Sequence, residues 1–240
     1  MQFKRDTATT IAPSIGLYTI KIGTNNNTAT RSVMMPRNFV IIIDRILFKL
    51  CPRLGNWRLC SLNVDTAFGG DSFVVVNADI LGFKLSPDEA KDLAKLGEKI
   101  TEAANEQLNF YHPTYSDWNH FSFCHFCGPL LEGNKGKHFK SAVAIKPGKI
   151  DRSPTGTALS AKMAILHKHG KISIGDKLTA ISIIGSEFTG QILGITKVGS
   201  IDAILPEISG RAWITGTHQH MLDPSDPWPG GYRISDTWGV

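Results

Sequence analysis

No stretch of this 240-residue chain is apolar for long enough to cross a bilayer. The most apolar early run, residues 39–50, is short and broken by Asp44, Arg45 and Lys49, whereas a spanning helix needs roughly 20 apolar residues. Nothing ahead of it has the form of a signal peptide, so a cytoplasmic protein with no membrane partner is expected. Cysteine is sparse: Cys51, Cys60, Cys124 and Cys127 are too few for a disulfide-stapled secreted domain, and reduced thiols are expected. A basic run is lacking too. The 26 Lys and Arg against 21 Asp and Glu leave a net charge of only +5, scattered and without interleaved aromatics, which argues against a nucleic-acid partner.

What is present describes an ordinary folded chain, with an apolar fraction of 42% and a charged fraction of 20%. The length supports a sizeable core in one or two domains. Residues 16–22 alternate as a strand and run into the turn Asn25-Asn26-Asn27. Residues 39–43 and 73–77 are β-branched and aromatic runs of strand length, with Gly69-Gly70 turning the chain before the second; they are expected to pair, with Asp71 exposed at the turn. Ser86-Pro87-Asp88-Glu89 forms a capping box with proline at the first helical position. After it Ala90, Leu93, Ala94, Gly97, Ile100, Ala104 and Leu108 recur at helical spacing, the pattern of an amphipathic helix covering a sheet. Residues 177–184, 188–198, 201–205 and 212–215 read as an antiparallel meander. The tail Asp223-Pro224-Ser225-Asp226-Pro227-Trp228-Pro229 is a turn-rich loop whose carboxylates cap or solvate.

The chain is organised around Asp151-Arg152-Ser153-Pro154-Thr155-Gly156-Thr157 and the apolar run that follows to Gly170. Ser153 suits an N-cap, Pro154 the first helical position, and Gly170 a left-handed C-terminal stop, which predicts a helix over 154–169. Its early turns are apolar on nearly every side, so it belongs inside a domain. Its N-terminus offers the free N–H groups of Thr155, Gly156 and Thr157, suited to a carboxylate or phosphate. Taken alone, these features describe a buried structural helix more readily than a ligand site.

Two other groupings invite a metal reading. Cys124 and Cys127, with His112, His120, His125 and His138 nearby, have the composition of a zinc site. However, they sit in a Phe-rich strand where positions three apart face opposite ways, so core and surface roles are preferred. His218 and His220 share a strand face but have no third ligand, and read as a polar surface pair. No metal is expected.

The string DRSPTGTA followed by SAKMAILHKHG resembles the second active-site motif of the proline racemase family, in which Asp-Arg-Ser-Pro-Cys-Gly-Thr-Gly opens a buried central helix. VDTAFGGDSFVVVNADILGFKLSPDEAKDLAKLGEKI, HPTYSDW, IGSEFTGQI, LPEISGRAWITG and DPSDPWPGGY stand in the same order as that family's landmarks, across nearly the whole chain. The resemblance implies an α+β fold like diaminopimelate epimerase: two pseudo-symmetric lobes, each a mostly antiparallel sheet wrapped around a central helix. This chain would hold residues 1–212 as the second lobe and 213–240 as a segment crossing back to a largely missing first lobe. The family's first motif, Cys-Gly-His, does not occur in the sequence. Asp6-Thr7, which lies internally in the family, comes almost at once here, so that Met1 reads as an internal methionine.

By the same resemblance no cofactor is needed. Family racemases use two cysteines on opposite faces of an imino acid ring, one removing the α-proton and one returning it. Here Thr155 replaces the second cysteine, and a hydroxyl is too weak an acid and base for that exchange unless activated. Members with threonine there resemble trans-3-hydroxy-L-proline dehydratases, lyases of hydroxyproline metabolism. In these, a single cysteine takes the α-proton, the 3-hydroxyl leaves, and the enamine tautomerises to pyrroline-2-carboxylate. Carried over, Asp151 binds the ring ammonium, the backbone of Gly156 and Thr157 holds the carboxylate, and Thr155 sits by the leaving hydroxyl. Three readings remain open: a dehydratase represented by an incomplete chain, a half-site completed by a homo-oligomer or a complementing lobe, and an inactive imino-acid-binding paralogue. A proline racemase or hydroxyproline epimerase is the further alternative.

Overall fold

Runs of β-branched and aromatic residues become strands, and the two helical patterns become helices on opposite faces of the sheet those strands build. The computed structural model describes residues 15–24, 27–36, 40–53, 56–134 and 136–232, with side chains from Leu62 onward. Asp6-Thr7 and the last eight residues of the chain lie outside the described residues. β1 (Ile15–Thr24) and β2 (Asn27–Pro36) form an antiparallel pair with Thr24 opposite Asn27; the strand expected at 16–22 lies within β1, Asn27 of the expected turn opens β2, and Asn25 and Asn26 lie outside the described residues.

The main sheet comprises β3 (Val40–Arg53), β4 (Asn56–Phe68), β5 (Ser72–Asn77), β6 (Phe123–Cys127), β7 (Leu131–Gly133), β8 (Gly136–Ile145), β9 (Lys149–Ile150), β10 (Lys177–Ser182), β11 (Glu187–Val198) and β12 (Ile201–Gly210). Its order is β10-β11-β12-β3-β4-β5-β6-β8-β7, with β9 on β8. Among the described strands only β5 with β6 and β8 with β10 run parallel; the second of these pairings joins one end of the path, β10, to β8 beside the other end, so that the sheet curls round on itself. The strands expected at 39–43 and 73–77 share this sheet but do not pair. β4 lies between them, antiparallel to both.

Helix α1 (Ala90–Gln107) begins after a 3-10 turn at Pro87–Glu89. The Glu89 carboxylate accepts the N–H groups of Lys84 and Ser86, closing off donors that the helix start leaves unpaired. Its apolar face buries Leu93, Leu96 and Ile100 against Val74, Val76, Cys124 and Phe126 on the outside of the curled sheet. Gly97 permits that contact, since a Cβ there would lie 2.3 Å from the Ala144 Cβ.

Helix α2 (Gly156–Lys168) lies on the inner face, packed against Phe73, Val75, Phe139, Leu178 and Ile192. The alternation along β5 thus feeds two cores: Phe73 and Val75 turn to α2, Val74 and Val76 to α1. The fully buried Leu159, Met163 and Ile165 each contribute about 1.5–3 kcal/mol of burial. α2 ends as the sequence reading requires. Gly170 takes φ +67°, and the N–H of Lys171 returns to the Leu166 carbonyl at 2.8 Å.

The meander differs from expectation at its end. β12 runs through Pro206 to Gly210, and the missing proline N–H falls beside a bulge in β11 between Ile192 and Gly194. Residues 212–215, expected as a strand, form none, and from 213 on they are exposed: beyond Gly210 the chain has left the pairing edge. The tail carboxylates do cap turns, Asp223 accepting from Ser225 and Asp226 from the Trp228 N–H. Among the described residues no helix is long and apolar enough to cross a membrane.

Candidate active site

α2 starts at Gly156 rather than Pro154, because Thr155 cannot be helical where it stands: its φ is +61° and its ψ 108°. A β-branched residue in that region is a backbone outlier, and such outliers cost on the order of 1–3 kcal/mol and cluster at functional sites. Ser153 is therefore not the helix cap. Its Oγ accepts the Thr155 N–H at 3.1 Å and donates to Asp151 Oδ2 at 3.1 Å.

Asp151 gathers the loop. Its Oδ1 accepts the Ser153 N–H at 2.9 Å, and its Oδ2 also accepts the Thr155 hydroxyl at 2.5 Å. Its own N–H donates to the Val143 carbonyl at 3.0 Å, which ties the loop to β8. Thr155 thus spends its proton on the carboxylate and presents oxygen lone pairs elsewhere.

The N–H groups of Gly156, Thr157 and Ala158 precede the first intrahelical acceptor-donor pair, Leu159 N–H to Thr155 carbonyl at 2.9 Å, and have no partner within the helix. Gly69 packs directly on this turn. A Cβ at Gly69 would lie 2.0 Å from the Thr157 carbonyl oxygen and 2.7 Å from the Ala161 nitrogen, both backbone atoms, so the Gly69-Gly70 turn fixes where α2 begins. Asp71, next in the chain, is half-buried rather than exposed. Burial pushes its carboxyl up from the ordinary range, partly offset by hydrogen bonds from Ser122 and the Ser72 N–H and by the charge of His120.

A cleft of about 850 Å³ opens over the loop. Asp151, Arg152 and Ser153 line one side, Phe188, Arg211 and Trp213 the other, with the Arg211 guanidinium 5.5 Å from the Trp213 ring centroid. Ser186 bridges the two by donating to the Arg152 carbonyl at 3.0 Å. Thr155, Gly156 and Thr157, next in the chain, are half-buried and do not line the cleft. A second cavity, of about 560 Å³, lies by the far end of α2 between His167, Lys168 and Asp202, away from this loop.

The sequence reading located Asp151, Thr155, Gly156 and Thr157 together, and the fold does bring them into one turn. It missed the double role of Ser153, read only as a cap, and the opposite wall of Phe188, Arg211 and Trp213, whose signal lay in the strings IGSEFTGQI and LPEISGRAWITG. Of the residues of the metal reading, His125 and Cys127 meet, Nε2 lying 3.4 Å from Sγ, and among the described residues no three such side chains form a group that could hold a metal. Cys124 and Cys127 face opposite cores, as strand alternation required. Burial drives the Cys127 thiol up to about 11 and lowers the affinity of His112 for a proton. His112 Nδ1 accepts the N–H groups of Thr114 and Tyr115, and His120 stacks on Trp118 with centroids 6.3 Å apart. His218 and His220 stack with centroids 6.3 Å apart on an exposed segment.

Comparisons with known proteins agree with this architecture. The proline racemase family model matches residues 51–233. A crystal structure of a hydroxyproline epimerase from Agrobacterium vitis with bound trans-4-hydroxy-L-proline is similar at 27% identity and a TM-score of 0.63, covering 96% of this chain and 67% of that one. A probable proline racemase from Agrobacterium radiobacter K84 with bound carbonate is similar at 25% identity and a TM-score of 0.63, covering 97% and 68%. With a buried helix opened by Asp151-Arg152-Ser153-Pro154-Thr155-Gly156-Thr157 inside a curled, mostly antiparallel sheet, and with the family model matched over most of its length, this chain belongs to the proline racemase family.

Proposed function

We propose that the loop from Asp151 to Thr157 binds a small imino acid, and that the reaction it serves is the cofactor-independent dehydration of trans-3-hydroxy-L-proline to pyrroline-2-carboxylate. The observation that carries this reading is a threonine hydroxyl, not a thiol, hydrogen-bonded to the Asp151 carboxylate at the strained head of α2. The carboxylate attracts the ring ammonium, and the free N–H groups of Gly156 and Thr157 together with the positive helix end attract the substrate carboxylate. The Thr155 oxygen accepts a hydrogen bond from the substrate while its own hydroxyl hydrogen is donated to the Asp151 carboxylate. The group that removes the α-proton can hand that same proton to the departing 3-hydroxyl, which leaves as water as the ring double bond forms, so dehydration needs one acid-base group, whereas inversion needs an acid and a base on two faces, and Thr155 is too weak an acid to be the second.

The threonine at the position of the family's thiol also favours a second reading, in which this chain binds the imino acid without turning it over, or acts with a complementing lobe. Incubation with trans-3-hydroxy-L-proline, following pyrroline-2-carboxylate, separates the two. Turnover that disappears in Asp151→Ala supports the dehydratase; thermal stabilisation by the substrate without turnover supports the binding protein. Asp151→Ala is expected to abolish calorimetric binding, and an unchanged affinity in that variant sinks the assignment of Asp151.

A further inference from the structure

Beneath the loop lies a buried polar pair that the proposed chemistry does not use. His125 on β6 and Ser141 on β8 are both wholly buried and face the α2 side of the sheet, with His125 set between Phe73 and Phe139 at centroid distances of 6.1 Å each. The His125 Nε2 lies 2.8 Å from the Ser141 Oγ and 3.4 Å from the Cys127 Sγ, whereas its Nδ1 has no hydrogen-bond partner among the described residues. Burial, reinforced by the charge of Lys162, pushes the His125 pKa down to about 3, so the ring is neutral and carries one N–H.

Which nitrogen holds that proton follows from the partners. A proton on Nδ1 would leave a buried donor with no acceptor, the costlier orphan, so it sits on Nε2 and donates to the Ser141 oxygen. The Ser141 hydroxyl proton is then free to point onward, and the Pro154 carbonyl lies 3.4 Å away, the longest link in the series. At the other end of the same peptide unit, the Thr155 N–H donates to the Ser153 Oγ at 3.1 Å. Both polar groups of the Pro154–Thr155 peptide are therefore tethered, one to the β-sheet floor and one to the loop. With that plane fixed, Thr155 is kept at φ +61° and its hydroxyl is aimed at Asp151.

We propose that His125 and Ser141 are positioning residues: they anchor the Pro154 carbonyl, hold Thr155 in its left-handed backbone, and thereby set the geometry of the Asp151–Thr157 loop. The consequence for ligand affinity rests on the imino-acid reading; the consequence for the backbone does not.

The test compares the unaltered protein with Ser141→Ala, with Ser141→Cys as a volume-preserving second variant, with Ser141→Thr as the conservative rescue, and with Thr101→Ala as a control. Thr101 is buried and hydrogen-bonded to the Gly97 carbonyl in the other core. The Thr155 backbone dihedrals are read from crystal structures or NMR shifts, and affinity for trans-3-hydroxy-L-proline by calorimetry. In Ser141→Ala and Ser141→Cys, Thr155 relaxes to negative φ and affinity falls about tenfold, the equivalent of about 1.4 kcal/mol. Ser141→Thr restores both, and Thr101→Ala changes neither. A positive φ retained in both Ser141→Ala and Ser141→Cys overturns the proposal, as does an affinity loss matched by Thr101→Ala. If the unaltered protein binds no imino acid, the functional reading fails, while the dihedrals still decide the role of Ser141.

Discussion

Acidification should expose His125. Its imidazole stays neutral in the folded protein down to a pKa of about 3, against an ordinary value near 6.5, because burial strips its hydration and the charge of Lys162 adds to the cost of protonation. The unfolded chain takes that proton at about 6.5. Between those two values the unfolded state binds more protons, so stability is complete above pH 6.5 and drains as the pH falls towards 3. Each pH unit in that window removes about 1.4 kcal/mol, so at pH 4.5 this one side chain accounts for a loss of about 3 kcal/mol, a large share of the 5–15 kcal/mol typical of a domain. Guanidinium unfolding followed by far-ultraviolet circular dichroism, repeated from pH 7.5 to 4.5 on the unaltered protein and on His125→Gln, isolates the effect. The glutamine amide keeps a donor for Ser141 but does not titrate, and the other ionisable groups cancel in the difference. The two stability curves should converge as the pH falls. Parallel curves would show that His125 takes up its proton normally, and the buried relay argument would fail with it.

Three further outcomes follow from the packing. Gly69→Ala places a methyl against the Thr157 carbonyl and the Ala161 nitrogen, atoms that cannot swing aside, and should cost about 1–3 kcal/mol in denaturant unfolding; a neutral result would mean the turn does not fix α2. Leu159→Ala, in the middle of the α2 core, should cost about 2–5 kcal/mol by the same assay, and a loss under about 1 would contradict the burial of this face. Asp71→Asn should raise Tm at pH 7 and leave it unchanged at pH 3. The Asp71 carboxyl is raised by burial, so its ionisation costs stability as the pH climbs through and beyond the ordinary range, and the amide removes that cost; an unchanged Tm at pH 7 refutes it.

Local signals were legible wherever the residue itself limits the backbone. Gly170 ended α2, the Ser86–Glu89 box opened the α1 region, and the β-branched run at 73–77 became β5. Errors arose where a distant contact decided the outcome. The start of α2 moved because Thr155 is held at positive φ by partners on β8 and in the loop, and no propensity of Ser-Pro-Thr encodes that. A charge after two glycines is expected to be exposed, yet Asp71 is half-buried: it accepts the N–H of neighbouring Ser72 and lies by Ser122 and His120, which the parallel pairing of β5 and β6 brings beside it.

The sequence by itself determined the family through Asp151-Arg152-Ser153-Pro154-Thr155-Gly156-Thr157, the buried character of α2 through its unbroken apolar run, and the identity of the hydroxyl that stands where a thiol would. These are properties of adjacent residues, and short-range sterics and chemistry are enough to read them. Only the tertiary structure decided that Phe188, Arg211 and Trp213 face Asp151, that Gly69 fixes the head of α2, and that His125 and Ser141 lie beneath Pro154. Each joins residues far apart in the chain, and closing those loops depends on the order and register of the whole curled sheet rather than on any local preference.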